Sequence, residues 1–207
     1  MYKKLIITFE GIEGTGKSFH INNIANYLKK RKIPFIKLRE PGGSKNSEKL
    51  RKIILDGKTK FNKNTDLLLY LAARSENVEN IIKKNNNKKI ILIDRFIDST
   101  IAYQHYGMGV SKRIINIINN YLLKKIKVGF TFLHIINEKN LKKRLYSRKK
   151  LNRYDKFNYL FYKKVQKGYI KQSKLNKRKY LIINSNFTIN ENKKIIVNKV
   201  NKLLGIK

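Results

Sequence analysis

The chain has 207 residues, a formal net charge of +36 and no cysteine. It is long enough to bury a sizeable core, and it cannot form a disulfide, a zinc–thiolate site, an iron–sulfur cluster or a catalytic thiol. We expect a single domain over residues 1–207. No signal-peptide pattern precedes the first apolar run, and no run of about 20 apolar residues occurs, so we predict a cytoplasmic protein without a membrane partner.

The positive charge is spread along almost every segment, and lysine comes together with much asparagine and isoleucine. AT-rich codons encode these three residues, so we interpret the charge as compositional bias and expect no specific nucleic-acid partner. The alternative is a nucleic-acid-binding surface. In either case the electrostatic field of the positive charge would steer polyanionic substrates toward the protein. We expect the lysine- and asparagine-rich tract 83–89 to be a solvated helix end and loop.

The first elements are an apolar run, Leu5–Phe9, a glycine-rich loop and a helical pattern over Ser18–Lys32. The loop fits the phosphate-binding pattern G-x-x-x-x-G-K-[ST] in the strand–loop–helix context that this pattern requires. Its backbone N–H groups and the helix N-terminus would bind phosphate, Lys17 would reach the β and γ phosphates, and the Ser18 hydroxyl would ligate Mg²⁺. The predicted ATP-binding residues are Gly11, Ile12, Glu13, Gly14, Thr15, Gly16, Lys17 and Ser18.

Strand and helix patterns alternate along the rest of the chain, which predicts an α/β fold with a parallel sheet of about five strands and helices on both faces. In such a sheet, ligands bind at the carboxyl ends of the strands. The further predicted strands are Phe35–Leu38, Ile90–Ile93, Phe130–Ile135 and Tyr180–Ile183. The further predicted helices are Ser47–Leu55, Asp66–Lys84, Lys112–Leu123, Glu138–Arg148, Asp155–Leu175 and Ile189–Leu204.

The second strand is followed by the segment Arg39-Glu40-Pro41-Gly42-Gly43. The proline holds Glu40 extended, and the glycine pair lets the backbone turn. An arginine at the carboxyl end of a strand, followed by a rigid turn, suits anion binding. A plain surface loop is the alternative.

On the helix that follows, Tyr70 and Arg74 are four residues apart and share one face. An aromatic plate beside a guanidinium can stack on a base and hydrogen-bond to its edge. The alternative is a core tyrosine beside an exposed arginine, which for such a pair taken alone is more common than a base-binding site.

The third predicted strand is followed directly by Asp94 and Arg95. An apolar strand with a terminal aspartate is typical of the Mg²⁺ site of phosphoryl-transfer enzymes, so we predict Ser18 and Asp94 as the metal site. Arg95 could clamp a phosphate with two hydrogen bonds. The alternative is an Asp–Arg surface pair of little energetic value.

A basic cluster lies around an expected helix break, at residues 144–153. Such a segment could close over phosphates as a lid. A solvated basic face is the alternative. The cluster consists of Arg144, Arg148, Lys149, Lys150 and Arg153.

Taken together, these segments resemble the thymidylate kinases of bacterial type, P-loop nucleoside monophosphate kinases that phosphorylate dTMP. The resemblance covers residues 3 to about 204, in the order and spacing of the family. The matching pieces are residues 9–18, 39–43, Ala72-Ala73-Arg74, the Asp94–Ser99 segment and Ala102-Tyr103-Gln104.

The resemblance implies a three-layer P-loop NTPase fold with a short basic lid at about 144–156. It also implies an ATP- and Mg²⁺-dependent transfer to dTMP, which gives dTDP for dTTP synthesis, by a homodimeric enzyme. Its implied dTMP-binding residues are Glu13 at the 3′-hydroxyl, Arg39 and Arg95 at the 5′-phosphate, Tyr70 stacked on thymine, Arg74, Thr100 and Gln104 at the base edge, Tyr103 against ribose, and Arg51 near the base pocket. Its implied catalytic residues are Lys17, Arg95, Arg148 and Arg153, with Arg144 as a further lid candidate.

Three other functions stay open at this point. A kinase for cytidylate, guanylate or shikimate would share the loop, but it does not explain segments 39–43 and 94–104 together. A nucleic-acid-dependent NTPase would have a basic groove with interleaved aromatic residues instead of diffuse charge. A non-catalytic scaffold would have lost charged residues of the acceptor site, which are all present.

Overall fold

The computed structural model describes residues 4–146 and 153–206, which form a five-stranded sheet with helices packed on both faces. The strands are β1 (Ile6–Gly11), β2 (Phe35–Arg39), β3 (Ile90–Asp94), β4 (Phe130–Ile135) and β5 (Tyr180–Asn184). The helices are α1 (Lys17–Lys30), α2 (Lys45–Leu55), α3 (Lys63–Asn77), α4 (Lys83–Asn85), α5 (Ile97–Thr100), α6 (Lys112–Leu123), α7 (Glu138–Tyr146), α8 (Tyr159–Leu175) and α9 (Ile189–Leu204). Short π-helical segments lie at Val78–Ile82 and Ile101–Gly107, and 3₁₀ turns lie at Arg153–Lys156 and Lys177–Lys179.

The sheet is parallel throughout, with the strand order β2-β3-β1-β4-β5. This confirms the predicted α/β class and the number of strands. In the register, Asp94 pairs with both Phe9 and Arg39, and Gly11 pairs with His134. The carboxyl ends of the strands therefore bring the segments after β1, β2 and β3 to one edge of the sheet, as the rule for ligand sites requires.

The core lies in two layers because alternate residues of each strand face opposite sides of the sheet. On one side, Ile7 and Phe9 pack against Leu28 of α1 and Val200 of α9. On the other side, the buried residues of β3 and β4 pack against α5, α8 and the π-helical segments. The segment over 97–107 was not predicted as helix, and it supplies much of this second layer.

Several helices begin where a side chain caps the first turn, and these caps explain the differences from the predicted boundaries. Helix α2 begins after Ser44, and α3 begins after Asn62, each of which accepts a hydrogen bond from a first-turn N–H. Helix α8 begins at Tyr159 instead of residue 155, because Asn158 accepts from the N–H of Phe161 at 2.9 Å. The predicted helix 66–84 is interrupted by the π-helical segment 78–82.

The lysine- and asparagine-rich tract forms the short helix α4 and the turn after it, with Lys83, Lys84 and Lys88 exposed, as predicted. Within residues 4–146 and 153–206, none of the helices is both long enough and apolar enough to cross a membrane.

Candidate functional site

The glycine-rich loop is shaped by backbone conformations that only glycine adopts easily. Gly11 has φ +134°, and a Cβ there would lie 2.2 Å from the carbonyl oxygen of His134 on β4. Gly16 has φ +83° and precedes α1 without a side chain to cap it, unlike Ser44 before α2. No side chain therefore caps the first turn of α1, and the N–H groups that precede Phe19, whose own N–H donates to Gly16, are available to an anion.

Lys17 begins α1 and is nearly buried, with 6% of its surface exposed. Its Nζ donates to the carbonyl oxygen of Ile12 at 2.7 Å and to Thr15 Oγ1 at 3.2 Å, so the ammonium group lies inside the loop. Burial, and then the nearby charge of Arg95, lowers the pKa of Lys17 to about 7. A bound phosphate would supply the negative charge that this ammonium group needs.

Ser18 and Asp94, the two predicted metal ligands, lie against each other. The Ser18 hydroxyl donates to Asp94 Oδ2 at 2.7 Å, although the residues are 76 positions apart. Both groups are hard oxygen donors, the kind that Mg²⁺ prefers. In the described ranges, no group of three or more histidine, aspartate or glutamate side chains is placed to hold a metal ion.

A cavity of about 440 Å³ opens beside the loop at the carboxyl edge of the sheet. Most of the predicted site residues line it, whereas Gly11, Ile12, Thr15 and Arg153 do not. The predicted residues that line it are Glu13, Gly14, Gly16, Lys17, Ser18, Arg39, Arg51, Tyr70, Arg74, Asp94, Arg95, Thr100, Tyr103 and Gln104.

Arg95 is held at the cavity by bonds from several elements. Its backbone has φ +66°, and its guanidinium donates to the carbonyl oxygen of Gly11 at 2.8 Å and to the Tyr169 hydroxyl at 3.2 Å. It also pairs with Glu13 Oε1 at 2.9 Å and lies over the ring of Tyr103, 5.1 Å from its centroid. The side chain is thus pre-organised, with 18% of its surface exposed.

Glu13 is the acid of the loop, and its second oxygen accepts a hydrogen bond from the Tyr103 hydroxyl. Burial alone would raise the pKa of Glu13, but Arg95, Lys17 and Tyr103 together outweigh it and hold the pKa below its usual value. Glu13 is therefore a carboxylate at neutral pH, and it links the loop to the segment after β3.

Arg39, at the end of β2, forms a bidentate pair with Glu48 of α2, at 3.2 and 2.9 Å. Glu48 also accepts from the N–H of Gly43 at 2.8 Å, which ties the turn to α2. Arg51, one turn further along α2, donates to the carbonyl oxygen of Pro41 at 2.6 Å. The turn and α2 together bring two guanidinium groups to the cavity.

Arg74 is 2% exposed, so the alternative of an exposed arginine at this position is wrong. Its Nε donates to Glu40 at 2.8 Å, and its Nη1 donates to Asn119 of α6 at 2.7 Å. The guanidinium also lies 5.1 Å from the ring centroid of Phe96. Burial raises the pKa of Glu40, although the Arg74 charge opposes the shift.

Four residues form what we call the aromatic slot of the cavity: Tyr70 and Arg74 on α3, Thr100 on α5 and Gln104 on the π-helical segment. Tyr70 is half-buried, and Thr100 and Gln104 are 2% and 1% exposed. The slot therefore presents one ring face and several polar groups at a buried edge. That combination suits a flat heterocycle.

The predicted lid is described only in part, because Arg148 lies outside the described residues, as do Lys149 and Lys150. Arg144 donates to the carbonyl oxygens of Gly14 at 2.9 Å and Ser185 at 2.7 Å, so it packs against the loop. Arg153 pairs instead with Asp66 and lies over the rings of Phe61 and Tyr154. The catalytic roles of Arg148 and Arg153 stay predictions.

Several residues of the site were not predicted. Glu40 lies in the Arg39–Gly43 segment, but only the fold shows that it forms an ion pair with Arg74. Tyr154 and Phe96 line the cavity, and no role was predicted for either residue, although Phe96 lies in the Asp94–Ser99 segment that carries the resemblance. Asp66 is an acid on the buried face of α3, which is a signal that could have been noticed.

The sheet order, the loop and the uncapped helix N-terminus together define an α/β protein of the P-loop class. A family model described as thymidylate kinase matches residues 9–196. The thymidylate kinase of Acholeplasma laidlawii is 36% identical over 206 residues, which cover 97% of this chain and 100% of that protein. The thymidylate kinase of Sulfurihydrogenibium sp. is 38% identical over 196 residues, which cover 94% and 95%.

A solved structure gives the same result. The crystal structure of thymidylate kinase from Ehrlichia chaffeensis has a TM-score of 0.78 and 28% sequence identity to this chain, and the match covers 96% of this chain and 98% of that one. The chain belongs to the thymidylate kinase family. It is accordingly an enzyme of the nucleoside monophosphate kinase class.

Proposed function

We propose that the chain transfers the γ-phosphoryl group of ATP to the 5′-phosphate of dTMP and so makes dTDP for dTTP and DNA precursor synthesis. One observation carries the proposal within the family. The phosphate loop with Lys17, the guanidinium of Arg95 and the aromatic slot all line one cavity of about 440 Å³. A donor phosphate and a nucleoside monophosphate can therefore meet in one space.

The donor side is built by the loop and the start of α1. The N–H groups behind Gly16 and the ammonium group of Lys17 would bind the β and γ phosphates of ATP. Ser18 and Asp94, 2.7 Å apart, would hold Mg²⁺ together with the phosphates, since Mg²⁺ commonly takes only one or two protein ligands. When bound, this ion would neutralise charge on the phosphate oxygens.

The acceptor side is built by the segments after β2 and β3. Arg95 and Arg39 would hold the 5′-phosphate of dTMP, and Glu13 would accept a hydrogen bond from the 3′-hydroxyl. Tyr70 would stack on thymine, and Tyr103, whose hydroxyl is bonded to Glu13, would occupy the space that a ribose 2′-hydroxyl needs. The remaining base contacts would come from Arg74, Thr100 and Gln104, with Arg51 near the base pocket.

No general base is required, because a phosphate monoester is already ionised at neutral pH. Catalysis then depends on alignment of donor and acceptor and on positive charge around the transferred group. Lys17 and Arg95 supply this charge from the described part of the cavity. Arg148 and Arg153 of the lid, at about 144–156, are proposed to supply the rest on closure.

The larger setting is proposed from the family and from composition. We propose that the chain acts as one domain, residues 1–207, within a homodimer in the cytoplasm. We also propose that it has no nucleic-acid partner, because its charge of +36 is diffuse along the sequence.

The test is a panel of nucleoside monophosphates with ATP and Mg²⁺. We expect dTMP to be the preferred acceptor, and dUMP, which lacks one methyl group, to be about 10–200-fold poorer. CMP and UMP should lie near background because of Tyr103. dCMP should fall well below dUMP, because it places an amino group at the edge that Arg74 addresses. Preference for CMP, GMP or AMP would contradict the assigned acceptor.

A further inference from the structure

The carboxylate of Asp66 lies directly behind the aromatic slot and is 2% exposed. It stands in the first turn of α3 and collects donors from three other residues. The Nε2 of Gln104 donates to Asp66 Oδ2 at 3.1 Å, and the Tyr154 hydroxyl donates to the same oxygen at 3.1 Å. The guanidinium of Arg153 binds the other oxygen, Oδ1.

The hydrogen bond between Gln104 and Asp66 sets the orientation of the Gln104 amide. A carboxylate accepts hydrogen bonds and does not donate them, so the NH₂ group of Gln104 must face Asp66. Its carbonyl oxygen, Oε1, is then the atom left for the cavity that Gln104 lines. Within the described residues, Oε1 accepts no hydrogen bond.

Arg74 completes the pattern at the edge of the slot. Its Nε and Nη1 are already committed to Glu40 and Asn119, which leaves Nη2 to meet a ligand. The slot therefore offers a donor from Arg74 and an acceptor from Gln104. Thymine and uracil match this pair with the O4 acceptor and the N3–H donor. Cytosine carries an amino group in place of O4 and a bare acceptor nitrogen at N3, so it mismatches both.

We propose that Asp66 is a specificity-determining residue, which selects thymine or uracil over cytosine by holding the carbonyl oxygen of Gln104 toward the base. It is a positioning residue, because it acts through Gln104 and does not itself line the cavity. The inference rests on the proposed function and adds to it the origin of base choice. A buried site built to hydrogen-bond one pattern can reject another by about 10⁴–10⁵-fold, of which this acceptor supplies a part.

The experiment compares dTMP, dUMP and dCMP as acceptors for the wild-type enzyme and for Asp66→Asn. Asparagine has the same shape, but its amide can donate or accept a hydrogen bond. The amide of Gln104 can then adopt either of its two flipped orientations. We expect the ratio of kcat/KM for dCMP to that for dTMP to rise about 10-fold or more. The ratio for dUMP to dTMP should stay unchanged, because the two bases share N3–H and differ only in a methyl group.

A purely structural defect would lower all three activities together and leave both ratios as they were. Glu76→Gln is the matched control, since it removes a carboxylate of the same helix whose partners are Asn46 and Asn80 and which does not line the cavity. It is expected to keep the wild-type ratio of dCMP to dTMP. A raised ratio in Glu76→Gln equal to that of Asp66→Asn would overturn the proposal.

Gln104→Leu keeps Asp66 and removes the acceptor itself, so it tests the premise that Asp66 acts through Gln104 even if Asp66→Asn does not fold. We expect a raised ratio in Gln104→Leu, and no further rise when Asp66→Asn is added to it. A wild-type ratio in either single variant overturns the role of Asp66. A wild-type enzyme that does not prefer dTMP overturns the proposed function instead, so the two failures are distinguishable.

Discussion

The carboxylate of Glu13 and the guanidinium of Arg95 form an ion pair of 2.9 Å, although the two residues are 82 positions apart. Glu13 comes from the phosphate loop, and Arg95 comes from the turn after β3. The pair has side-chain exposures of only 10% and 18%. It therefore couples the donor side of the cavity to the acceptor side, and it sets the position of the charge that we assign to the acceptor phosphate.

Glu13→Gln tests this pair. The amide keeps the shape of the side chain but loses the negative charge, so we expect a rise in KM for dTMP and a loss of about 1–3 kcal/mol in the free energy of unfolding. Steady-state kinetics and urea denaturation measure the two effects. Glu79→Gln is the control, because its pair with Lys83 is largely exposed and should matter little. Equal effects of the two substitutions would refute the coupling.

Lys17→Met should lower kcat by more than about 100-fold, because it removes a donor aimed at developing charge. The fold should survive, since methionine fills much the same space and needs no desolvation of a buried ammonium group. Kinetics and circular dichroism provide the readouts. Lys30→Met, in the exposed last turn of the same helix, should leave both unchanged. Near-wild-type turnover of Lys17→Met would contradict the role of Lys17.

Arg39→Ala should separate binding from stability. Its pair with Glu48 is exposed, at 55% and 37%, so its removal should change the free energy of unfolding by less than about 1 kcal/mol. Loss of a charged hydrogen bond to the acceptor phosphate should raise KM for dTMP about 10–100-fold. Lys37→Ala on the same strand, whose partner is Asn22, is the matched control. An unchanged KM for dTMP in Arg39→Ala would remove Arg39 from the acceptor site.

The lowered pKa of His134 makes the free energy of unfolding depend on pH. Burial, and then the charges of Lys17 and His20, lowers the pKa of His134 to about 3, while in the unfolded chain it stays near 6.5. The unfolded state therefore binds one more proton than the folded state between these values, so stability falls as pH drops below about 6.5. Between pH 7 and pH 5 this group should cost about 2 kcal/mol.

The measurement is urea denaturation of the wild-type protein and His134→Leu at pH 7 and pH 5. Only the difference between the two proteins isolates His134. Glu10 has a pKa raised to about 7, chiefly by burial, and so gains folded-state protons over the same interval with the opposite sign. We expect the wild-type protein to lose about 2 kcal/mol more than the variant. Parallel losses would show that His134 titrates normally in the folded state.

Nucleic-acid binding should be weak in spite of the charge of +36. We expect any complex with duplex DNA to be independent of sequence and to lose roughly 10³-fold or more in affinity between about 50 and 200 mM salt. Fluorescence anisotropy with two unrelated duplexes measures this. A tight complex at physiological salt, or phosphoryl transfer that requires DNA, would support a nucleic-acid partner instead.

The sequence determined the elements and the identity of most residues at the cavity. Five apolar runs predicted the five strands, because strands of a parallel sheet covered by helices on both faces consist largely of apolar residues. The phosphate-binding loop could be predicted because its glycines and Lys17 lie within one short segment of the chain. The predicted helix starts were less accurate where a capping residue such as Asn158 sets the first turn. A cap acts through one local hydrogen bond, and the spacing of apolar residues contains no sign of it.

Only the tertiary structure decided which side chains are paired. Arg74 is buried because Glu40 and Asn119, 34 and 45 positions away, supply its partners, and no local pattern contains them. The amide of Gln104 is turned by Asp66, 38 positions away on another helix. A residue type fixes what a side chain can donate or accept. Which of its atoms faces the ligand depends on contacts between distant segments, which exist only after the sheet and its helices have packed.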